Sequence, residues 1–291
     1  MNRDPLKRSH GTYLSNARIA LKRGSPGARP PAAAMSMNRN GENMIEIEDL
    51  HKAFEGNKVL DGITCQIPAG KISVVMGPSG TGKSVLLRHV VGLLYPDQGD
   101  VRVAGKSVPS LNEEELLELR RNVGMLFQDG ALFSSMNLYD NVAFPLRQHT
   151  KKSEGEIKEI VMQRLEEVGL TEAVKKMPNE LSGGMRKRAG FARALVLEPE
   201  ILLFDEPDSG LDPVRTALLC DLIKQIQQKY KSTGVVISHD IKSCFNIGDH
   251  IILLHGGKVV DQGSKEELQQ SRNPFTQQFI KGAVEGPLGM E

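Results

Sequence analysis

The sequence predicts an α/β protein whose parallel sheet carries a phosphate-binding loop at one edge, and three stretches predict it. The first is Gly77 to Ser84, GPSGTGKS. It fits G-x-x-x-x-G-K-[S/T] between an apolar run, Ile72 to Met76, and a helical pattern, Val85-Leu86-Leu87 to Val90-Val91. The second is a pair of short apolar runs, Ile201 to Phe204 and Gly234 to Ile237, which end in Asp205-Glu206 and Ser238-His239. Strands of a parallel sheet are buried on both faces and place functional groups at their carboxyl edge. The third is the region from about 135 to 180, which reads as a helical insertion.

Composition sets the outer bounds. The 291 residues suffice for one large domain or two small ones with a sizeable core. With 37 Lys/Arg against 36 Asp/Glu, the net charge of +1 gives no global field for nucleic acid or for a membrane surface. Residues 1–43 hold eight Lys/Arg and two Asp/Glu, which leaves −5 for residues 44–291. That first segment mixes Pro, Gly, Ala, Ser, Asn and Arg without apolar periodicity, so it is expected to be a disordered extension, with Met35, Met37 and Met44 as later candidate starts. A basic tail touching anionic lipid is the alternative. No run of 18 apolar residues and no apolar h-region occurs, so neither a membrane span nor a secretory signal is expected. Cys65, Cys220 and Cys244 lack metal-ligand spacing and read as buried or free thiols of a reducing cytosol.

Along the chain, Ile45 and Ile47 alternate with Glu46 and Glu48, which predicts a half-exposed strand, and Val59 to Ile67 predicts a second. Between them stands Phe54, an aromatic that belongs either to the core or against a nucleobase. Ile72 to Met76 is a buried strand, and the glycines after it let successive N–H groups converge on a phosphate beside a helix N-terminus starting near Gly82. Lys83 supplies a point charge there and Ser84 a hydroxyl for magnesium. Gly99 to Val103, with the turn Ala104-Gly105, predicts a strand and hairpin. Asn112, followed by three glutamates, predicts a helix N-terminus. Val123 to Phe127 predicts a strand ending in Gln128, and Ser153 to Glu156 a capping box. The helix it opens carries Ile157, Ile160-Val161, Leu165 and Val168, and a further helical piece is expected from about Thr171. Ser182 is a natural N-cap for a helix bearing Ala189, Ala192, Leu195 and Val196, and Gly183 and Gly184 leave its end open to a ligand. Strands at Ile251 to Leu254 and Lys258 to Val260, then helices from Ser264 and about Pro274, complete the chain.

The order P-loop, Gln128, LSGGM, ILLFDEP, SGLD and His239 resembles the nucleotide-binding subunit of ABC transporters over residues 44–270. The resemblance implies a P-loop NTPase: a RecA-like core with an antiparallel β subdomain, a helical signature lobe at about 135–197, and a C-terminal tail at 271–291. It implies ATP and Mg²⁺ as cofactors. Gly77, Pro78, Ser79, Gly80, Thr81, Gly82, Lys83, Ser84 and Val85 would then cradle the phosphates, with Phe54 against the adenine. Ser84, Gln128 and Asp205 would hold magnesium. Glu206 would orient or activate the attacking water, and His239 would meet the γ-phosphate. Ser209 to Asp212 match the D-loop. Ser182, Gly183 and Gly184 would face the P-loop of a second copy, which implies a homodimer. Met185 departs from the commonest signature, LSGGQ; the phosphate contacts of the serine and glycines do not depend on it.

Phe127 to Thr150, Leu181 to Leu195, Asp205 to Ala217 and the tail from Phe279 resemble the ATPases of Mce-type and Mla-type lipid transport systems. That branch implies a peripheral subunit at the cytoplasmic face of the bacterial inner membrane, under a permease and with MCE-domain proteins as partners. Phe133, Met136, Leu138 and Tyr139 are candidates for permease contact or for local core. A polar-solute importer, or an ABC ATPase outside transport, is the alternative. The absence of a second cassette and of a basic stripe within residues 44–291 argues against nucleic acid as a partner.

Overall fold

A computed structural model describes residues 43–238, 240 and 245–287. The expectations for residues 1–42, His239, Cys244 and the last four residues lie outside the described residues. Two compact units emerge: one spans residues 130–196, and the other the described residues on either side of it.

The larger unit is built on two sheets. Strands β1 (Asn43–Phe54), β2 (Asn57–Pro68), β4 (Gln98–Val103) and β5 (Lys106–Ser107) form an antiparallel sheet in the order β2-β1-β4-β5. Strands β3 (Ile72–Met76), β6 (Val123–Leu126), β7 (Ile201–Asp205), β8 (Thr233–Ile237), β9 (His250–His255) and β10 (Lys258–Gly263) form the second, in the order β10-β9-β3-β8-β7-β6. All neighbours in it are parallel except β10, which runs antiparallel to β9. β3 and β8 are buried at every position, as their unbroken apolar runs require. Helix α1 (Lys83–Val90) buries Leu86, Leu87 and Val90 in a core shared with Ile45, Ile47 and Leu50 of β1 and with Val75, Leu203 and Val235 of the parallel sheet. Helix α2 (Glu113–Arg121) starts on the predicted cap: the Glu115 N–H donates to Asn112 Oδ1 and the Asn112 N–H to Glu115 Oε2, each at 3.0 Å. Strand β6 stops at Leu126, two residues short of Gln128, and Phe127 is already exposed.

The unit of residues 130–196 is helical: α3 (Leu138–His149), α4 (Glu154–Glu167) and α5 (Gly183–Leu195) pack against one another. The capping box at Ser153 and Glu156 opens α4. α3 lies within the helical insertion expected at about 135–180, although Pro145 in its interior withholds the N–H that residue 141 would receive. Burial of Leu138, Val142, Ala143 and Leu146 outweighs that loss. Leu138 is therefore core rather than a permease contact, whereas Phe133 is 42% exposed. The helical piece expected from Thr171 is only a single turn, Thr171–Ala173. The larger unit resumes with the 18-residue helix α6 (Pro213–Tyr230), which the sequence reading left unassigned, and ends with α7 (Lys265–Gln269) and α8 (Pro274–Lys281). Cys65 and Cys220 are buried thiols, and burial pushes the Cys65 thiol up to about 12. Among the described residues no helix is long and apolar enough to cross a membrane.

His89 on α1 and His250 on β9 sit where burial lowers their pKa below the ordinary 6.5. The unfolded chain takes up protons near that value while the folded one does not, so stability is full above it and declines as the pH falls through it. The urea midpoint is therefore expected to be lower at pH 5.5 than at pH 7.5, above the range in which the paired carboxylates titrate. Equal midpoints would remove the two histidines from this role.

Candidate nucleotide site

The loop after β3 is shaped by glycines that cannot be replaced without movement. A Cβ on Gly77 would collide with the backbone carbonyl of Leu254. One on Gly82, where φ is +89°, would lie 2.6 Å from Leu60 and 3.0 Å from the Val59 carbonyl oxygen. Thr81 Oγ1 donates to the Pro78 carbonyl at 2.9 Å and closes the turn. Lys83 is 5% exposed, and its Nζ donates to the carbonyls of Gly77 and Pro78 at 2.9 and 2.7 Å. Gly82 caps α1 without a side chain and no acid stands in its first turn, so the N-terminal N–H groups are open to an anion.

Strand β7 lies between β6 and β8 and brings its two carboxylates to the same edge. Ser84 Oγ donates to Asp205 Oδ1 at 2.7 Å, across 121 residues of sequence. A hydroxyl and a carboxylate side by side are hard oxygen donors of the kind magnesium takes when phosphates complete its shell. No cluster of three or more His, Cys, Asp or Glu suited to a metal occurs among the described residues. Glu206 follows with φ +47°, a conformation that strains a residue bearing a Cβ. Its N–H donates to the Ile237 carbonyl at 3.0 Å, and its own carbonyl accepts from the Ser209 N–H at 3.2 Å. Gln128 Nε2 donates to Ser209 Oγ at 3.0 Å. Ser238 Oγ donates to buried Asp208 at 2.7 Å and accepts from the Asp240 N–H at 2.9 Å, which fixes the backbone on both sides of position 239.

Residues 60–209 match the sequence profile of the ABC transporter family. The probable ribonucleotide transport ATP-binding protein mkl of Mycobacterium leprae is 50% identical, over 84% of this chain and 71% of its own length. The chain belongs to the ABC transporter family. The intermembrane phospholipid transport system ATP-binding protein MlaF of Escherichia coli K12 is 41% identical, over 87% of this ABC ATPase and 94% of MlaF. Among solved structures, CbiO1 from Clostridium perfringens, part of the transporter complex cbiONQ, gives a TM-score of 0.73 at 28% identity, covering 82% and 96% of the two chains. The dimeric cassette MJ0796 bound to ADP and Pi gives 0.71 at 29% identity, covering 76% and 99%. Membership makes the protein an ATP-binding, ATP-hydrolysing subunit.

In this ABC ATPase Phe54 is the last residue of β1, 41% exposed, with the Lys52 ammonium over its ring at 5.7 Å. In the other unit, Ser182 Oγ accepts from the Met185 N–H at 3.3 Å to cap α5, whose first turn, including Gly183 and Gly184, carries no acid. Sequence reasoning missed Asp208 and Asp97 as organising residues. Nothing local marks either, because each acts on a partner more than 25 residues away.

Proposed function

We propose that the protein powers an Mce- or Mla-like lipid transport system, as a homodimer seated under an integral permease at the cytoplasmic face of the inner membrane. The Ser84–Asp205 contact beside Glu206 carries the catalytic part of this reading. It supports a reading in which Ser84 and Asp205 would bind magnesium and Glu206 would act as the base at that strand edge. The α1 amides hold the phosphates, and Lys83 exchanges its carbonyl partners for phosphate oxygens. Magnesium on Ser84, Asp205 and Gln128 would neutralise charge on the phosphates. Glu206 accepts the proton of the water that attacks the γ-phosphorus in line, as ADP leaves. Its strained, doubly bonded backbone holds the carboxylate in place before substrate arrives. Gln128, by its bond to Ser209, links the segment before residue 130 to the loop after Glu206. His239 completes the γ-phosphate contacts, and the signature residues Ser182, Gly183 and Gly184 serve the ATP of the second subunit.

The lipid cargo rests on likeness to MlaF, extending over nearly all of that protein, and MCE-domain proteins are the partners that branch implies. The likeness to mkl, a probable ribonucleotide transport ATP-binding protein, supports a second reading, a polar cargo such as a ribonucleotide. Mass spectrometry of what co-purifies with tagged Glu206→Gln protein in mild detergent separates them. A permease with MCE-domain proteins is the expected result. A permease with a soluble solute-binding protein would favour the polar cargo, and ribosomal or DNA-associated partners alone would sink the transport role.

A further inference from the structure

Phe54 ends β1 beside a hairpin turn, paired with Asn57 of β2 but past the end of the ladder with β4. Pairing of β1 with β4 ends at His51–Gln98, and against β2 the register shifts between Lys52 and Ala53. Backbone pairing with Asn57 does not by itself orient the ring of an exposed aromatic at such an end. A single carboxylate does so instead. Asp97 Oδ1 accepts from Lys52 Nζ and Asp97 Oδ2 from the Ala53 N–H, each at 2.7 Å, while the Asp97 N–H donates to the His51 carbonyl at 2.9 Å. Three consecutive residues ahead of Phe54 are thus tied to one side chain and its backbone. Lys52, held by that carboxylate, lies over the Phe54 ring. The hydrogen bond from the Lys52 ammonium also holds the Asp97 carboxyl below its ordinary range.

Asp97 is part of the segment that leaves the phosphate-loop helix. Leu93 and Leu94 donate to the Arg88 carbonyl at 2.8 and 3.2 Å, so the segment starts anchored to the end of α1 and reaches β1 four residues later. The aromatic and the phosphate loop, 23 residues apart at Phe54 and Gly77, are thereby connected through a short, bonded route as well as through the sheet.

We propose that Asp97 is the positioning residue of the nucleobase platform, setting Phe54 at the distance from the phosphate loop at which one nucleotide engages both. This rests on the reading of Phe54 as the adenine contact. Charge-assisted hydrogen bonds of this kind imply that Asp97→Asn raises KM for ATP about tenfold. Because Asp97 touches neither the phosphate loop nor Glu206, kcat is unchanged, and so is affinity for inorganic tripolyphosphate, which has no base. Phe54→Ala raises KM for ATP as well, and adding Asp97→Asn to it brings little further loss, since both act through one ring. Asp97→Glu, which keeps the charge, recovers part of the affinity. If Asp97→Asn fails to fold, as a thermal melt would reveal, Lys52→Met reports on the same clamp and must also raise KM without lowering kcat. Full additivity of Asp97→Asn and Phe54→Ala, or weakened tripolyphosphate binding, would overturn the proposal while leaving Phe54 in place. Unchanged KM in Asp97→Asn beside a raised KM in Phe54→Ala would do the same. Unchanged KM in Phe54→Ala would remove the platform itself and the proposal with it.

Discussion

Glu206→Gln is expected to bind ATP as tightly as the native protein and to lose roughly 10²–10⁴ of its turnover. The substitution keeps size and shape and removes only the ability to accept a proton. The local fold should survive it, because the groups that hold residue 206 are backbone: its N–H on the Ile237 carbonyl and its carbonyl on the Ser209 N–H. With binding intact and hydrolysis blocked, an ATP-bound dimer should accumulate, visible by size-exclusion chromatography as a species that needs ATP and disappears without it. Phosphate release at the native rate would take Glu206 out of its role as base and leave it a carboxylate near the metal.

Lys83→Ala should act one step earlier. Its ammonium is nearly buried and bonded to two carbonyls of the loop it serves, so its removal takes away both the charge that meets the phosphates and a brace of the loop. Charge-assisted hydrogen bonds of this kind put the loss in ATP affinity at about 10²-fold or more. Titration calorimetry with ATP reads it directly, and native affinity in the variant would count against the phosphate cradle. Lys83→Arg should rescue little, since a planar guanidinium fork does not fit a pocket built around a compact ammonium. The two variants are distinguishable: the Glu206 variant holds ATP and forms dimers, whereas the Lys83 variant does neither.

Much of this architecture is written locally. The strand–loop–helix around Gly77 to Ser84, the N-cap at Asn112 and the capping box at Ser153 stand where the sequence puts them, as do the parallel strand before Asp205-Glu206 and the N-cap at Ser182. Each depends on interactions spanning a few residues: the period of apolar side chains, a side-chain oxygen three residues from the N–H it accepts, a glycine where a Cβ cannot go. The helical insertion expected at about 135–180 includes α3, where burial of Leu138, Val142, Ala143 and Leu146 outweighs the cost of Pro145 in the helix interior. The further helical piece expected from about Thr171 forms as a single turn.

By itself, then, the sequence determined most of the strands and helices, though not α6, together with where the phosphate loop lies and which residues stand at strand ends able to do chemistry. Tertiary structure alone decided who meets whom. The order β3-β8-β7 sets the edge on which Ser84 reaches Asp205, the loop after β7 brings Ser209 to Gln128, and the segment after α1 brings Asp97 to Lys52 and Ala53. The physical reason is one of range. A hydrogen bond acts over about 3 Å, and whether residues 81 or 121 positions apart come that close depends on strand order and register, which no local window contains.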